Sequence, residues 1–339
     1  MATIRKVAHL AGVSTATVSH VINDTRAVSA PLTARVLNAM EQLDYQPDII
    51  ARSLRRRETL TIGLLVPSIE IPFFALVAAN IEAAANDAGY SVILCNTGWS
   101  LPHEVRYLNN LLARRVDGLL CISLAMSAEH IAPLLRRRTP VVVFERTMPG
   151  VEVDSVEIDN FQGAHDATSH LLDLGHRRIG CITGLANSHL NDERIGGYRH
   201  ALAQRGIPFE PALLRTGDYT PAAGVRESLE LLRLPMPPTA IFAFNDLMAM
   251  GVMQAVQHRG LRIPVDMAVI GFDGLAFTEH CSPPLSTVEQ PVAEMSAGAI
   301  AMLLDRIKGG SSPARVQSFA AKLVTRTSTT GCAPEALHV

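Results

Sequence analysis

The chain has 339 residues, 48% of them hydrophobic and 18% charged, which is enough for two or three domains with a large buried core. No stretch approaches the ~20 consecutive apolar residues of a membrane span, and the polar N-terminus lacks the basic-then-apolar pattern of a secretory signal. The five cysteines form no CxxC pair, and Cys95, Cys121 and Cys181 lie in apolar runs, as reduced thiols of a cytoplasmic protein would.

The net charge of −2 divides unevenly: residues 1–60 carry +3 and the remainder −5, the balance of a DNA-facing module on an acidic body. In that module Ile4, Val7, Ala8 and Ala11 recur at helical spacing, with Thr3 placed to cap the helix. Gly12 can turn the chain through a left-handed conformation. Ser14 can then cap a second helix, 15–23, whose Val18, Val21 and Ile22 pack back on the first. Two short helices around a Gly-containing turn predict a helix-turn-helix. The second helix presents Thr15, Ala16, Thr17, Ser19 and His20, small or polar and none acidic, which suits close approach to base edges in a major groove. The competing reading is a small helical hairpin in a larger core, but a solvated surface helix would more often carry Glu and Lys on that face. Ser29 is placed to cap a third helix through Leu32, Val36, Met40 and Leu43, which Tyr45-Gln46-Pro47 ends. Asp48 can cap one further short helix over 49–56, running into Arg55-Arg56-Arg57.

From Leu60 the texture changes. The apolar runs TIGLLV, SVILC, GLLCIS, VVVF, SVEI, RIGCIT, TAIFAF and MAVIGF alternate with helical patterns near 73–88, 103–114, 128–137, 161–174, 192–205, 221–233, 246–259 and 291–308. Such alternation predicts an α/β body of parallel sheets covered on both faces. Eight strands are compatible with one barrel or two open sheets.

No GxxxxGK[ST], GxSxG or HExxH occurs, and His103-Glu104 lacks a second histidine because position 107 is Tyr. Nothing pairs a nucleophile with a base or gathers metal ligands, so no enzyme, cofactor or metal site is expected. What converges is a cleft. Ligands in open α/β sheets sit at the carboxyl ends of strands. Phe73, Phe74, Ser123, Glu145, Arg146, Arg194, Asn245 and Asp273 fall just beyond strand-like runs or in the helix that follows, and Tyr219 lies in Gly217-Asp218-Tyr219. Ordinary roles compete: Phe74 as core or subunit interface, Asp246 and Asp159 as helix caps, Arg194 and Asp273 as a loop-to-loop ion pair.

TIRKVAHLAGVSTATVSHVIN at 3–23, Val28-Ser29, Tyr45-Gln46-Pro47 and Ala51-Arg52-Ser53-Leu54 resemble the lac repressor/gal repressor family of bacterial transcription regulators over nearly the whole chain. The DNA-binding segment is most similar to the family's purine-responsive members. The resemblance implies a helix-turn-helix headpiece (1–47) and a hinge helix and linker (48–59). It also implies two doubly wound lobes of periplasmic-binding type, 60–159 with 290–318 and 160–289 with 319–330. It implies DNA contacts from Thr3, Ser14, Asn23 and Arg26 besides the second helix, and a minor-groove hinge using Ala51, Leu54 and Arg55. Arg194 and Asp273 match positions that hydrogen-bond effector, Tyr219 the aromatic that stacks on it, and Phe73 a pocket-lining aromatic. Ser188 and Leu190 stand where purine-responsive members place purine-contacting side chains, so a sugar or sugar acid is the expected effector. The residues from Thr327 hold no leucine heptad, so the resemblance implies a homodimer on palindromic double-stranded operator DNA. A sugar receptor or transport component of the same two-lobed fold is the alternative, and it leaves the first 57 residues unexplained.

Overall fold

Small apolar side chains let three short helices pack closely at the N-terminus. The computed structural model describes residues 2–23, 26–45, 58–123, 126–145, 148, 150–185 and 189–330, in two units dividing after Leu60. Helix α1 (Ile4–Ala11) is capped by Thr3, whose hydroxyl accepts from the Lys6 N–H at 3.4 Å, and it ends at Gly12 with φ 61°. Arg35 donates to the carbonyls of Ala11 (2.5 Å) and Gly12 (3.1 Å), satisfying acceptors that the helix end leaves open. Helix α2 (Thr15–Asn23) begins where Ser14 Oγ accepts from Thr17 N–H at 3.0 Å. The expected cap of α3 (Ala30–Gln42) is not made: Ser29 has the position but no side-chain hydrogen bond. Pro31 in the first turn removes one of the N–H groups a cap would serve. Val7, Ala8, Ala11, Val18, Val36 and Ala39 form the buried centre of this unit.

The second unit opens with β1 (Thr61–Val66), α4 (Pro72–Asp87), β2 (Ser91–Asn96), α5 (Leu101–Ala113), β3 (Gly118–Cys121), α6 (Ala128–Arg136), β4 (Val141–Phe144) and β5 (Asp154–Ile158). It continues through α7 (Asn160–Asp173), β6 (Ile179–Thr183), α8 (His189–Gln204), β7 (Leu214–Thr216), α9 (Pro221–Leu232), β8 (Ala240–Ala243), α10 (Asp246–His258), β9 (Ala268–Asp273) and β10 (Ser286–Glu289). Helix α11 (Val292–Ile307), β11 (Val316–Phe319) and β12 (Lys322–Val324) complete it. The strands make two open six-stranded sheets, β11-β5-β4-β3-β1-β2 and β12-β10-β9-β8-β6-β7, not one barrel. All pairs are parallel except β10 with β12. The chain passes between the sheets three times, after β5, after β10 and after β11.

The eight apolar runs all form strands, and four further strands join them. β7, β11 and β12 lie at sheet edges, where one face of the ladder is unpaired and a long apolar run is unnecessary. β10 is interior but polar: Ser286 and Thr287 are fully buried because their hydroxyls are hydrogen-bonded, Ser286 to the Arg326 carbonyl and Thr287 to Asp246. Asp154 anchors the returning segment. It accepts from Arg306 (2.8 and 2.9 Å) and from Arg315 (2.9 Å). Burial pushes its carboxyl up, but the hydrogen bonds from both guanidinium groups outweigh that and hold it down at about 2.

Candidate effector cleft and nucleic-acid interface

In α2 the burial of Val18 sets the orientation of the helix. At about 100° per residue, Ala16 and His20 lie opposite Val18, with Thr17 and Ser19 beside them. Thr15 and Ala16 are exposed, and Thr17, Ser19 and His20 half-exposed. Thr17 shares a hydrogen bond with Ser14, hydroxyl to hydroxyl at 2.9 Å, which fixes the first turn. Thr3 and Arg26 are exposed in the same unit. The Asn23 side chain and the hinge residues Ala51, Leu54 and Arg55 lie outside the described residues.

The cleft is assembled by loops leaving both sheets. Ile71, Phe73 and Phe74 follow β1, Glu145 follows β4, Leu190 and Arg194 come from α8, Tyr219 follows β7, Phe244 and Asn245 follow β8, and Asp273 ends β9. They enclose a cavity of about 30 Å³. Eight of the residues singled out from the sequence line it together: Phe73, Phe74, Glu145, Leu190, Arg194, Tyr219, Asn245 and Asp273. Ser123 does not line it. Its hydroxyl turns to the buried Glu104 carboxylate at 2.7 Å and accepts from Met126 N–H. Arg146 and Ser188 lie outside the described residues.

Sequence reading missed Trp99, Asn160, Phe244 and Gln290. The Trp99 ring stacks on Tyr219, centroids 5.9 Å apart and 12° between planes, and meets Phe74 edge-on. The signal was available: the chain holds a single Trp, three residues past the end of β2. Gly184 makes room for this stack, because a Cβ there would lie 1.9 Å from the Tyr219 ring.

Arg194 and Asp273 do not form the ion pair considered above. Arg194 Nε donates to Asn160 Oδ1 at 2.8 Å, Nη1 donates to the Phe244 carbonyl, and the guanidinium lies 3.6 Å above the Phe272 ring. Asp273 Oδ1 accepts from Gln290 Nε2 at 2.9 Å. Asp246 does not cap its helix. Asn245 does, accepting from Met248 N–H at 2.8 Å, while Asp246 accepts from Leu275 N–H and Thr287. Asp159 caps α7 as expected, through Gln162 N–H at 2.8 Å.

Burial dominates the electrostatics. It pushes Glu145 up to about 8, Arg194 opposing and Asp273 reinforcing, and it raises Asp273 to about 7 against Arg194 and the Gln290 hydrogen bond. Asp246 is raised too, by burial first and then by the neighbouring Asp273 charge. Trp99 (φ 60°), Glu145 (φ 71°), Tyr219 (φ 67°) and Asp273 (φ 117°) all hold left-handed backbone without being glycine. Each such residue costs about 1–3 kcal/mol and concentrates where a ligand is handled.

A helix-turn-helix unit followed by a two-lobed α/β body with a buried polar cleft defines a DNA-binding regulator that senses a small molecule. Residues 3–48 match the model of bacterial regulatory proteins of the lacI family, and residues 168–329 that of the periplasmic binding protein-like domain. The chain is 38% identical to the HTH-type transcriptional repressor PurR of Photobacterium profundum over 97% of its length and 98% of that protein's. It is 39% identical to PurR of Aliivibrio fischeri, over 97% of this chain and 98% of the relative. Among solved structures, it resembles the lac repressor dimer bound to operator and the anti-inducer ONPF (TM-score 0.88, 28% identity, 97% and 99% covered). It also resembles the transcriptional regulator CelR in its cellobiose complex (TM-score 0.73, 32% identity, 97% and 100% covered). The chain belongs to the lacI family of bacterial transcription regulators.

Proposed function

We propose that the protein is a repressor that binds a palindromic operator as a homodimer and is controlled by a neutral sugar held between its lobes. The observation that carries the effector class is Glu145. Its Oε2 is buried without a hydrogen-bond partner in the cavity that Asp273 and Tyr219 also line. A carboxyl raised to about 8 is mostly neutral at pH 7 and offers one donor and one acceptor, the pairing a sugar hydroxyl supplies. Tyr219, backed by Trp99, puts an aromatic ring on the same cavity for sugar C–H groups. The cavity lining sets two carboxyls, Glu145 and Asp273, against the one guanidinium of Arg194, so among the described residues it offers no surplus of positive charge for a sugar acid.

On the DNA side, Thr15, Ala16, Thr17, Ser19 and His20 read bases, and Thr3, Ser14, Asn23 and Arg26 position the unit. Residues 1–47 then act as headpiece, 48–59 as hinge with Ala51, Leu54 and Arg55 in the minor groove, and the lobes divide as the sequence suggested. Self-association is supported by exposed apolar side chains on α4, β2 and α10: Leu76, Leu94 and Met250. The lac repressor, a dimer on its operator, supports the same reading.

Identity to PurR proteins supports one rival effector, a purine base. Calorimetry against neutral sugars, sugar acids and purine bases separates them. One neutral sugar should bind, and Asp273→Asn should weaken it by about 5- to 150-fold, since a hydrogen bond to a buried charged or polar group is worth roughly 1–3 kcal/mol. Binding of purines or acids alone would overturn the sugar assignment, and loss of sequence-specific DNA binding altogether would overturn the regulator.

A further inference from the structure

In the sheet containing β1 to β5, the carboxyl ends of the strands face the cleft, and the amino ends point away from it. Helices α5 and α6 both finish at the amino-end side, and they finish alike. Arg114 caps α5 and Arg115 follows at φ 57°. Arg136 ends α6, Arg137 caps it and Arg138 follows at φ 56°. The two turns feed β3 and β4, which are paired neighbours with Leu119 opposite Val141, and Leu119 N–H donates to the Pro140 carbonyl at 2.9 Å. Arg137 also lines one crevice with Asn109 and Leu112 of α5. Five exposed arginines therefore share one end of the sheet.

The rest of this body is acidic, with residues 61–339 carrying −5 in spite of the cluster. Among the described residues no carboxylate stands within ion-pair distance of Arg114, Arg136, Arg137 or Arg138. Asp117, the acidic residue in these turns, is half-buried and has a contact of its own. Cations do favour helix C-termini, but one per helix meets that need, and glycine would take the left-handed position without strain. Both turns place arginine there.

The chain enters this same end from the helix-turn-helix unit. Asp117 N–H donates to the Thr61 carbonyl at 2.8 Å, so the first residue of β1 stands beside the Arg114-Arg115 turn. Twelve residues separate Tyr45 from Glu58, a span over thirteen steps of at most ~45 Å. While α2 lies on DNA, the tether keeps this end within reach of the same duplex. We propose that Arg114, Arg115, Arg136, Arg137 and Arg138 form a second nucleic-acid contact, which engages backbone phosphates flanking the operator. This contact rests on the DNA-binding reading above and adds affinity without sequence preference.

The test compares the full-length protein with the Arg114→Gln, Arg136→Gln, Arg137→Gln, Arg138→Gln variant and its all-Lys counterpart. Fluorescence anisotropy would be measured across a KCl series on the operator in duplexes of about 20 and about 60 base pairs. On the long duplex the Gln variant should bind about tenfold more weakly, with the slope of log affinity against log salt shallower by ~0.9 per lost phosphate contact. On the short duplex it should match wild type, and the Lys variant should retain most of the gain. Equal losses on both lengths, or none on either, would overturn the proposal. Failure of wild type to bind the short operator would instead overturn the DNA-binding reading. Unchanged circular dichroism and thermal midpoint guard against a folding defect in the Gln variant.

Discussion

Glu145 concentrates the cleft's chemistry at the scale of a single residue. Its carboxyl is fully desolvated, and it holds a proton that the unfolded chain would release near pH 4.5. Between that value and about 8 the folded state binds more protons than the unfolded one, so stability present at low pH is lost as pH rises through this window. The slope is on the order of ~1.4 kcal/mol per pH unit for one such group. His176 works the other way. Burial, helped by His170, lowers it to about 4, so its contribution is lost as pH falls below about 6.5. Thermal unfolding of wild type and Glu145→Gln from pH 5 to 8 isolates the carboxyl, because the His176 effect is common to both. The difference in stability should shift toward the variant as pH rises. Parallel curves would mean that Glu145 does not hold the proton.

Secondary-structure elements carry the DNA reading, and α2 shows how far a local pattern reaches. Its N-terminal cap and its buried Val18 are consequences of nearest neighbours, so the polar face was readable from spacing alone. Thr15→Ala, His20→Ala and Ala16→Ser should therefore alter which operator is preferred. Each lost or clashing base contact is worth about 1–3 kcal/mol. Selection from a randomised operator library reads this directly: variants should enrich different half-sites while non-specific affinity stays close to wild type. A uniform loss over every sequence would place the reading face elsewhere. The third helix marks the limit of such reasoning. Ser29 occupies the cap position, yet Pro31 two residues on leaves it without a bonded donor.

For the whole molecule, the decisive feature is that cleft side chains are hydrogen-bonded to the segments joining the lobes. Arg194 donates to Asn160, just after the first crossing, and Asp273 accepts from Gln290, at the second. A ligand that repositions either charged group acts on a crossing directly. Asn160→Ala and Gln290→Ala should reduce the effector's influence on operator affinity by ~0.5–2 kcal/mol, the range for residues along a coupling network. The effector's own affinity should change less. Operator titrations with and without the sugar found by calorimetry give that coupling. Coupling that survives intact while sugar affinity falls would make both residues mere pocket walls.

What the sequence determined by itself is what short-range periodicity encodes. Eight apolar runs had to be buried strands, the helices between them followed from 3.6-residue spacing, and Thr3, Ser14 and Asp159 capped the helices they precede. The convergence of strand-end residues such as Glu145 and Asp273 on one cleft was readable too, because open α/β sheets place ligands there. Tertiary structure alone decided the short strands β7, β10, β11 and β12, three of which adjoin chain crossings. It also decided that Trp99 stacks on Tyr219, 120 positions away, and that Ser123 turns from the cleft to Glu104. The protonation of Glu145 and Asp273 belongs to the same class. A carboxyl's proton affinity depends on the water removed and the charges gathered around it, and the residues that do both here come from loops of two different sheets.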